Sequence, residues 1–151
     1  MVVQESGTIS GVTVAENIFL AELSQFRNKL GMINKKAMNQ KATEAMRAIG
    51  VEHVTGDMPI ASLDFQTRKL VEIAKVMLKN PDILVIDETS TALSQDGREI
   101  MYSLIRKLRD SGKAIIFISH DLEEIMEVCD TLTVLRDGCL LYTSDAADEG
   151  L

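Results

Sequence analysis

Asp82-Ile83-Leu84-Val85-Ile86-Asp87-Glu88 decides the fold: a short, continuous apolar run closed by acids. Such a run, too short for a helix, reads as a strand buried on both faces, the habit of parallel sheets. Asn80-Pro81 punctuates its start, because proline disfavours helix in the residue before it. Beyond it, Ile100/Met101, Leu104/Ile105 and Leu108 recur at helical spacing, and Ser111-Gly112 supplies the stop. Ala114-Ile115-Ile116-Phe117-Ile118 is a second apolar run. Strand, amphipathic helix and strand in about thirty residues make a βαβ unit with a parallel sheet. Asp121 to Cys129 reads as another helix and Thr131 to Leu135 as another strand.

Upstream the pattern changes. Thr13-Val14-Ala15-Glu16 has the form of a capping box. Met38, Ala42, Ala45, Met46 and Ile49 form one apolar stripe, and Leu70, Ile73, Ala74, Met77 and Leu78 form another. No strand is expected between these helices, and no internal repeat is present. The fold class is therefore α/β, a parallel sheet preceded by a helical subdomain.

Composition removes several functions. The 151 residues are 46% hydrophobic, within the range of one domain with a sizeable core. No stretch of eighteen apolar residues exists, so a membrane-spanning helix is excluded. Glu5 and Glu16 interrupt the first twenty residues, which carry no basic start, so a secretory signal is not expected there. A net charge of -7 argues against a nucleic-acid platform. Cys129 and Cys139 offer neither a disulfide framework nor zinc spacing, and a reducing, cytoplasmic setting is expected.

Parallel α/β sheets bind ligands beyond the carboxyl ends of their strands. The first strand ends in Asp87-Glu88 and the second in Ser119-His120, which delivers two carboxylates and an imidazole to one edge. Nucleotide hydrolysis wants this set: one carboxylate for Mg²⁺, a second for the attacking water, and a polar group for the γ-phosphate. Alone, Asp87-Glu88 reads as a helix cap and His120 as a surface residue. Their joint occurrence at two strand ends favours the chemistry.

These residues resemble those of the ABC (ATP-binding cassette) ATPases, P-loop NTPases by fold, and specifically the ATP-binding subunits of bacterial monosaccharide importers of the ribose, galactose and xylose type. Ile83 to Glu88 resembles the Walker B strand, Thr91-Ala92-Leu93-Ser94 the D-loop, Ile118-Ser119-His120 the switch-histidine strand and Gln4-Glu5 the Q-loop. Thr13-Val14-Ala15-Glu16-Asn17-Ile18-Phe19-Leu20, Leu70 to Lys75 and Cys129 to Gly138 resemble the sugar-importer branch. The resemblance covers nearly everything from 1 to 138, in the family's order and spacing.

The resemblance implies ATP and Mg²⁺ as cofactors. Asp87 would hold Mg²⁺ through water, Glu88 would polarise the attacking water, and His120 would contact the γ-phosphate. Gln4 would reach the metal and the water and couple to the membrane partner. It further implies transmembrane permease subunits, a second cassette fused in the full-length chain, and indirectly a periplasmic or extracellular sugar-binding protein. The place implied is the cytoplasmic face of the cell membrane, as a peripheral subunit.

Three departures qualify this expectation. The family's Gly-rich loop, G-x-x-x-x-G-K-[ST], has no counterpart, so a partial cassette that does not hold ATP tightly is expected. The signature Leu-Ser-Gly-Gly-Gln falls on Leu63, Asp64, Phe65, Gln66 and Thr67. Asp64 would bring negative charge towards the opposing cassette's γ-phosphate, and Phe65-Gln66 lose the close approach that glycine allows. Asp64 also suits a plain helix cap. Thr89 and Ser94 replace the family's usual Pro and Asp.

The expected organisation is 1–80, Q-loop segment, helical subdomain and signature helix; 81–138, the Walker B to switch-histidine part of the core; and 139–151, a non-native tail. The tail is expected because Cys139 to Glu149 is similar to the translation of a transposase adapter used for sequencing libraries. Two alternatives stand beside the importer: a non-catalytic cassette remnant that only docks to partners, and an ATPase of the DNA-repair or helicase class. His53, Cys129, the eight methionines, and Lys35, Lys36 and Lys41 are read as loop, core and solvated surface, without functional roles.

Overall fold

The computed structural model describes residues 7–145. Helix α1 (Val14–Phe19) starts where the capping box requires. The Thr13 hydroxyl accepts from the Glu16 amide at 3.2 Å, and the Glu16 carboxylate accepts from the Thr13 amide at 2.9 Å. A 3₁₀ segment, Leu20–Phe26, leads to α2 (Lys35–Ala48), capped by Asn34. Its stripe of Met38, Ala42, Ala45 and Met46 is buried, with Val14, Ile18 and Phe19 of α1 in the same core.

Helix α3 (Phe65–Met77) buries Leu70, Ile73 and Ala74. The stripe read from the sequence runs one residue too far, because Leu78 sits at the C-cap and is 45% exposed. Between α2 and α3, Gly56 runs against the backbone of Asn39.

Strand β1 (Ile83–Asp87) pairs in parallel with β2 (Ala114–Ile118), Leu84 opposite Ile115 and Ile86 opposite Phe117. The crossover between them is α4 (Gln95–Asp110), which Ser94 caps and Gly112, at φ +77°, terminates. The expected burial of β1 on both faces needs correction. Leu84 and Ile86 lie in an apolar seam between Ile73 and Met77 of α3 and Met101 and Leu104 of α4. The opposite face is open, with Ile83 62% and Ile116 52% exposed. The physical reason is that, among the described residues, helices cover one face only, and a hydrophobic run cannot itself say how many faces find cover.

Helix α5 (Leu122–Val128) follows, capped by Asp121. Strands β3 (Thr131–Arg136) and β4 (Cys139–Asp145) form a separate antiparallel hairpin. Asp137 and Gly138 both take positive φ, +52° and +77°, as a two-residue hairpin turn demands. The sequence boundary drawn after Gly138 thus falls inside a paired hairpin. Among the described residues no helix is long and apolar enough to cross a membrane.

Candidate active site at the ends of two parallel strands

β1 delivers Asp87 and Glu88 to the edge that β2 reaches with Ser119 and His120. Glu88 leaves the strand direction. It takes φ +44° and ψ +24°, a left-handed conformation that costs a non-glycine residue about 1 kcal/mol or more. Hydrogen bonds hold it there. The Glu88 amide donates to the Ile118 carbonyl at 3.0 Å, and the Thr91 hydroxyl donates to the Glu88 carbonyl at 2.8 Å. The Thr89 hydroxyl donates to the Asp87 carbonyl at 3.2 Å.

The outcome is a carboxylate turned towards the imidazole. Glu88 Oε1 lies 3.6 Å from His120 Nδ1, with the histidine 71% and the glutamate 34% exposed. A polar contact so open to water adds little stability. What the arrangement offers is two groups of different chemistry facing one solvent-accessible space.

Below this pair lies a buried carboxylate that the sequence reading passed over. Glu124 of α5 accepts the hydroxyls of Ser90 at 2.7 Å, Tyr102 at 2.7 Å and Ser119 at 3.0 Å. Burial, and then the hydrogen bond to Glu124, push the Tyr102 phenol far above its ordinary range. A signal was available: Glu124 shares the helical stripe of Val128, four residues on, where an apolar side chain would be expected.

The signature-loop positions stand elsewhere. Leu63 ends a 3₁₀ turn, Asp64 caps α3, and Phe65, Gln66 and Thr67 form its first turn. Arg68 clamps the loop by donating to the carbonyls of Leu63 and Ala61. Gln66 Oε1 accepts the Ser94 amide at 2.6 Å, which joins this loop to the N-cap of α4. No hydrogen bond or ion pair joins residues 63–67 to Glu88 or His120 among the described residues. Gln4 lies outside the described residues.

Asp64 acts as the cap its type suggests, its carboxylate accepting the Thr67 amide at 2.7 Å. The hydrogen bonds to Thr67 lower its pKa below the ordinary 3.8. The folded-state pKa is therefore below the unfolded one, so the stabilisation is present above about pH 4 and lost as pH falls through the depressed value. Asp64→Ala is expected to cost about 1 kcal/mol at neutral pH. Urea denaturation of wild type and variant should show the difference shrinking in acid; a constant difference would deny the carboxylate this role.

As for a metal, Asp87 presents a half-buried carboxylate that no protein group engages among the described residues. These residues also include no cluster of three or more metal-ligating side chains. One free carboxylate without a protein cage is the donor set that suits Mg²⁺, which keeps its waters and takes phosphate oxygens as further ligands. The residues present fit that ion.

The family model described as ABC transporter matches residues 1–91. The chain is 38% identical over 144 residues to a ribose import ATP-binding protein of Streptococcus agalactiae, covering 95% of this chain and 29% of that one. It is 40% identical over 140 residues to the ribose import ATP-binding protein of Lactococcus lactis subsp. cremoris (93% and 28%). The arabinose import ATP-binding protein of Azospirillum brasilense is 32% identical over 149 residues (99% and 28%). The chain thus spans under a third of the length of these relatives. Among solved structures, cbiO1 from Clostridium perfringens superposes with a TM-score of 0.74 at 24% identity, over 97% of this chain and 57% of that one. A dimeric ATP-binding cassette bound to ADP and Pi reaches 0.77 at 21% identity, over 96% and 61%. Both likenesses concern the fold.

Proposed function

The chain belongs to the ABC transporter family, and from that premise we propose that it is part of an ATP-hydrolysing subunit that energises import of a monosaccharide. The observation that carries the reading is Glu88 and His120 meeting at 3.6 Å at the ends of adjacent parallel strands.

In this reading Asp87, assisted by Gln4, would hold Mg²⁺, and the ion would supply positive charge to offset that developing on the phosphate oxygens. Glu88 accepts a hydrogen bond from the attacking water and orients it in line with the γ-phosphate. His120, whose Nδ1 faces Glu88, offers its other ring nitrogen to a phosphate oxygen. Catalysis is then positioning and electrostatics without a covalent intermediate. Leu63 to Thr67 serve the nucleotide held by a second cassette, where Asp64 in place of Ser weakens that site by like-charge repulsion. Permease subunits are the membrane partners, a sugar-binding protein acts indirectly, and the setting is the cytoplasmic membrane face. The ribose and arabinose import proteins support the substrate class. The printed names of the relatives, all import proteins, favour this reading over the helicase or DNA-repair class. The altered signature loop favours one second reading, a cassette that docks without hydrolysing.

A chimera tests this. Residues 1–138 replace the matching segment of the Streptococcus ribose import ATP-binding protein, and ATP hydrolysis and ribose uptake are measured in cells lacking that protein. The expected result is hydrolysis with uptake. A chimera that assembles with its permease and binds ATP, yet neither hydrolyses nor transports, establishes the docking reading instead.

A further inference from the structure

We propose that Glu124 is a positioning residue whose buried carboxylate sets the separation of Glu88 and His120 by tying the turn after β1 to the turn after β2. This rests on the reading of Glu88 and His120 as the hydrolytic pair.

Glu124 is 8% exposed, and a carboxylate so placed persists only if its oxygens are satisfied. Three hydroxyls satisfy it, and the nearest cation, the Arg98 guanidinium, stands 4.0 Å away. Ser90 follows Glu88 by two residues, and Ser119 directly precedes His120. Both donate to the same oxygen, Oε2, so the two turns share one anchor atom. Tyr102 donates to Oε1 and fixes that anchor to α4.

The direction of the bonds explains why the group is an acid. The Ser119 oxygen accepts the Asp121 amide at 3.0 Å, and its own hydrogen is left to be donated to the carboxylate. Ionised, a carboxylate is acceptor only and takes all three hydroxyls, whereas an amide presents donors on one side. Charge-assisted bonds of this kind are short and geometrically strict. Displacing either turn breaks one of them, so the carboxylate reads the position of both.

The chain's two histidines supply the probe. In nuclear magnetic resonance spectra of the 151-residue chain, His120 reports on the site, and exposed His53 serves as internal reference. Glu124→Gln is expected to shift the His120 imidazole signal and the amides of Glu88, Thr89 and Ser119, while His53 stays in place. Ser90→Ala, a mild change 34 residues from Glu124 in sequence, is expected to move Ser119 and His120 as well. It carries the test if Glu124→Gln does not fold. Signals of His120 and Ser119 unmoved in a folded Ser90→Ala chain, or in a folded Glu124→Gln chain that only melts earlier, would overturn the proposal.

In the chimera described above, Glu124→Gln is expected to lower kcat by up to about 10²-fold, as small misplacements of reacting groups do, with KM for ATP little changed. An active chimera insensitive to Glu124→Gln overturns the role of Glu124 alone. A chimera inactive even with Glu124 intact, in which the His120 coupling persists, overturns the hydrolytic reading.

Discussion

Glu88→Gln in the chimera is expected to reduce phosphate release by about 10²–10⁴-fold, the range for losing a positioned general base. The substitution keeps the shape of the side chain and its capacity to lie beside His120, and it removes the charge. Its backbone demand is also met, because the left-handed turn at φ +44° is held by main-chain and threonine hydrogen bonds that do not involve the side chain. Nucleotide affinity should therefore persist while turnover falls, the pattern of a group acting in the transition state. Phosphate release at saturating ATP, with ATP affinity measured in parallel, checks both halves. Equal loss of affinity and turnover would assign Glu88 to binding, and unchanged turnover would remove it from the reaction.

Gly56→Ala is the largest stability loss expected, about 3 kcal/mol by overpacking. An added Cβ would sit 2.3 Å from the Asn39 carbonyl oxygen and 2.7 Å from the Asn39 Cα, both backbone atoms that cannot swing away. Nor can the loop retreat freely. The Gly56 amide donates to the Thr43 hydroxyl at 2.9 Å, and its carbonyl accepts the Ala15 amide at 2.9 Å. Moving the loop off α2 breaks the bonds that hold α1 against it. Since domains are stable by about 5–15 kcal/mol, such a loss is a large fraction of the whole. The urea midpoint, with an unchanged slope, gives the value; a loss below about 0.5 kcal/mol would show that the loop yields easily.

Features written in local chemistry were legible in the sequence. The capping box at Thr13, the stripe from Met38 to Met46 and the stop at Ser111-Gly112 depend on neighbours a few residues apart, and the βαβ unit follows from local patterns read in order. The strand ends were legible for the same reason, because an apolar run closed by acids fixes where the chain leaves the sheet. What escaped depends on partners distant in the chain. The open face of β1, carrying Ile83, is decided by which helices arrive to cover it. Glu124 looked like one more acid in an acidic helix start, since Ser90 and Tyr102 lie 34 and 22 residues away. The departures at Asp64, Phe65 and Gln66 were plain, but the bond from Gln66 to Ser94 across 28 residues was not.

The phenol of Tyr102 has a consequence of a different kind. The chain has no tryptophan and two tyrosines, so the tyrosinate band that alkali brings up belongs to Tyr102 and Tyr142. Tyr102 is buried and bonded to a carboxylate, and its pKa is held above the ordinary 10.0. A folded-state pKa above the unfolded one means stabilisation that is full below about pH 10 and lost as alkali carries the solution through the folded value. Tyrosinate absorbance from this residue is then expected at higher pH in the folded chain than in the unfolded one. The difference in alkaline absorbance between the wild type and a Tyr102→Phe chain then reports on the packing beside the two strand ends where the chemistry is proposed.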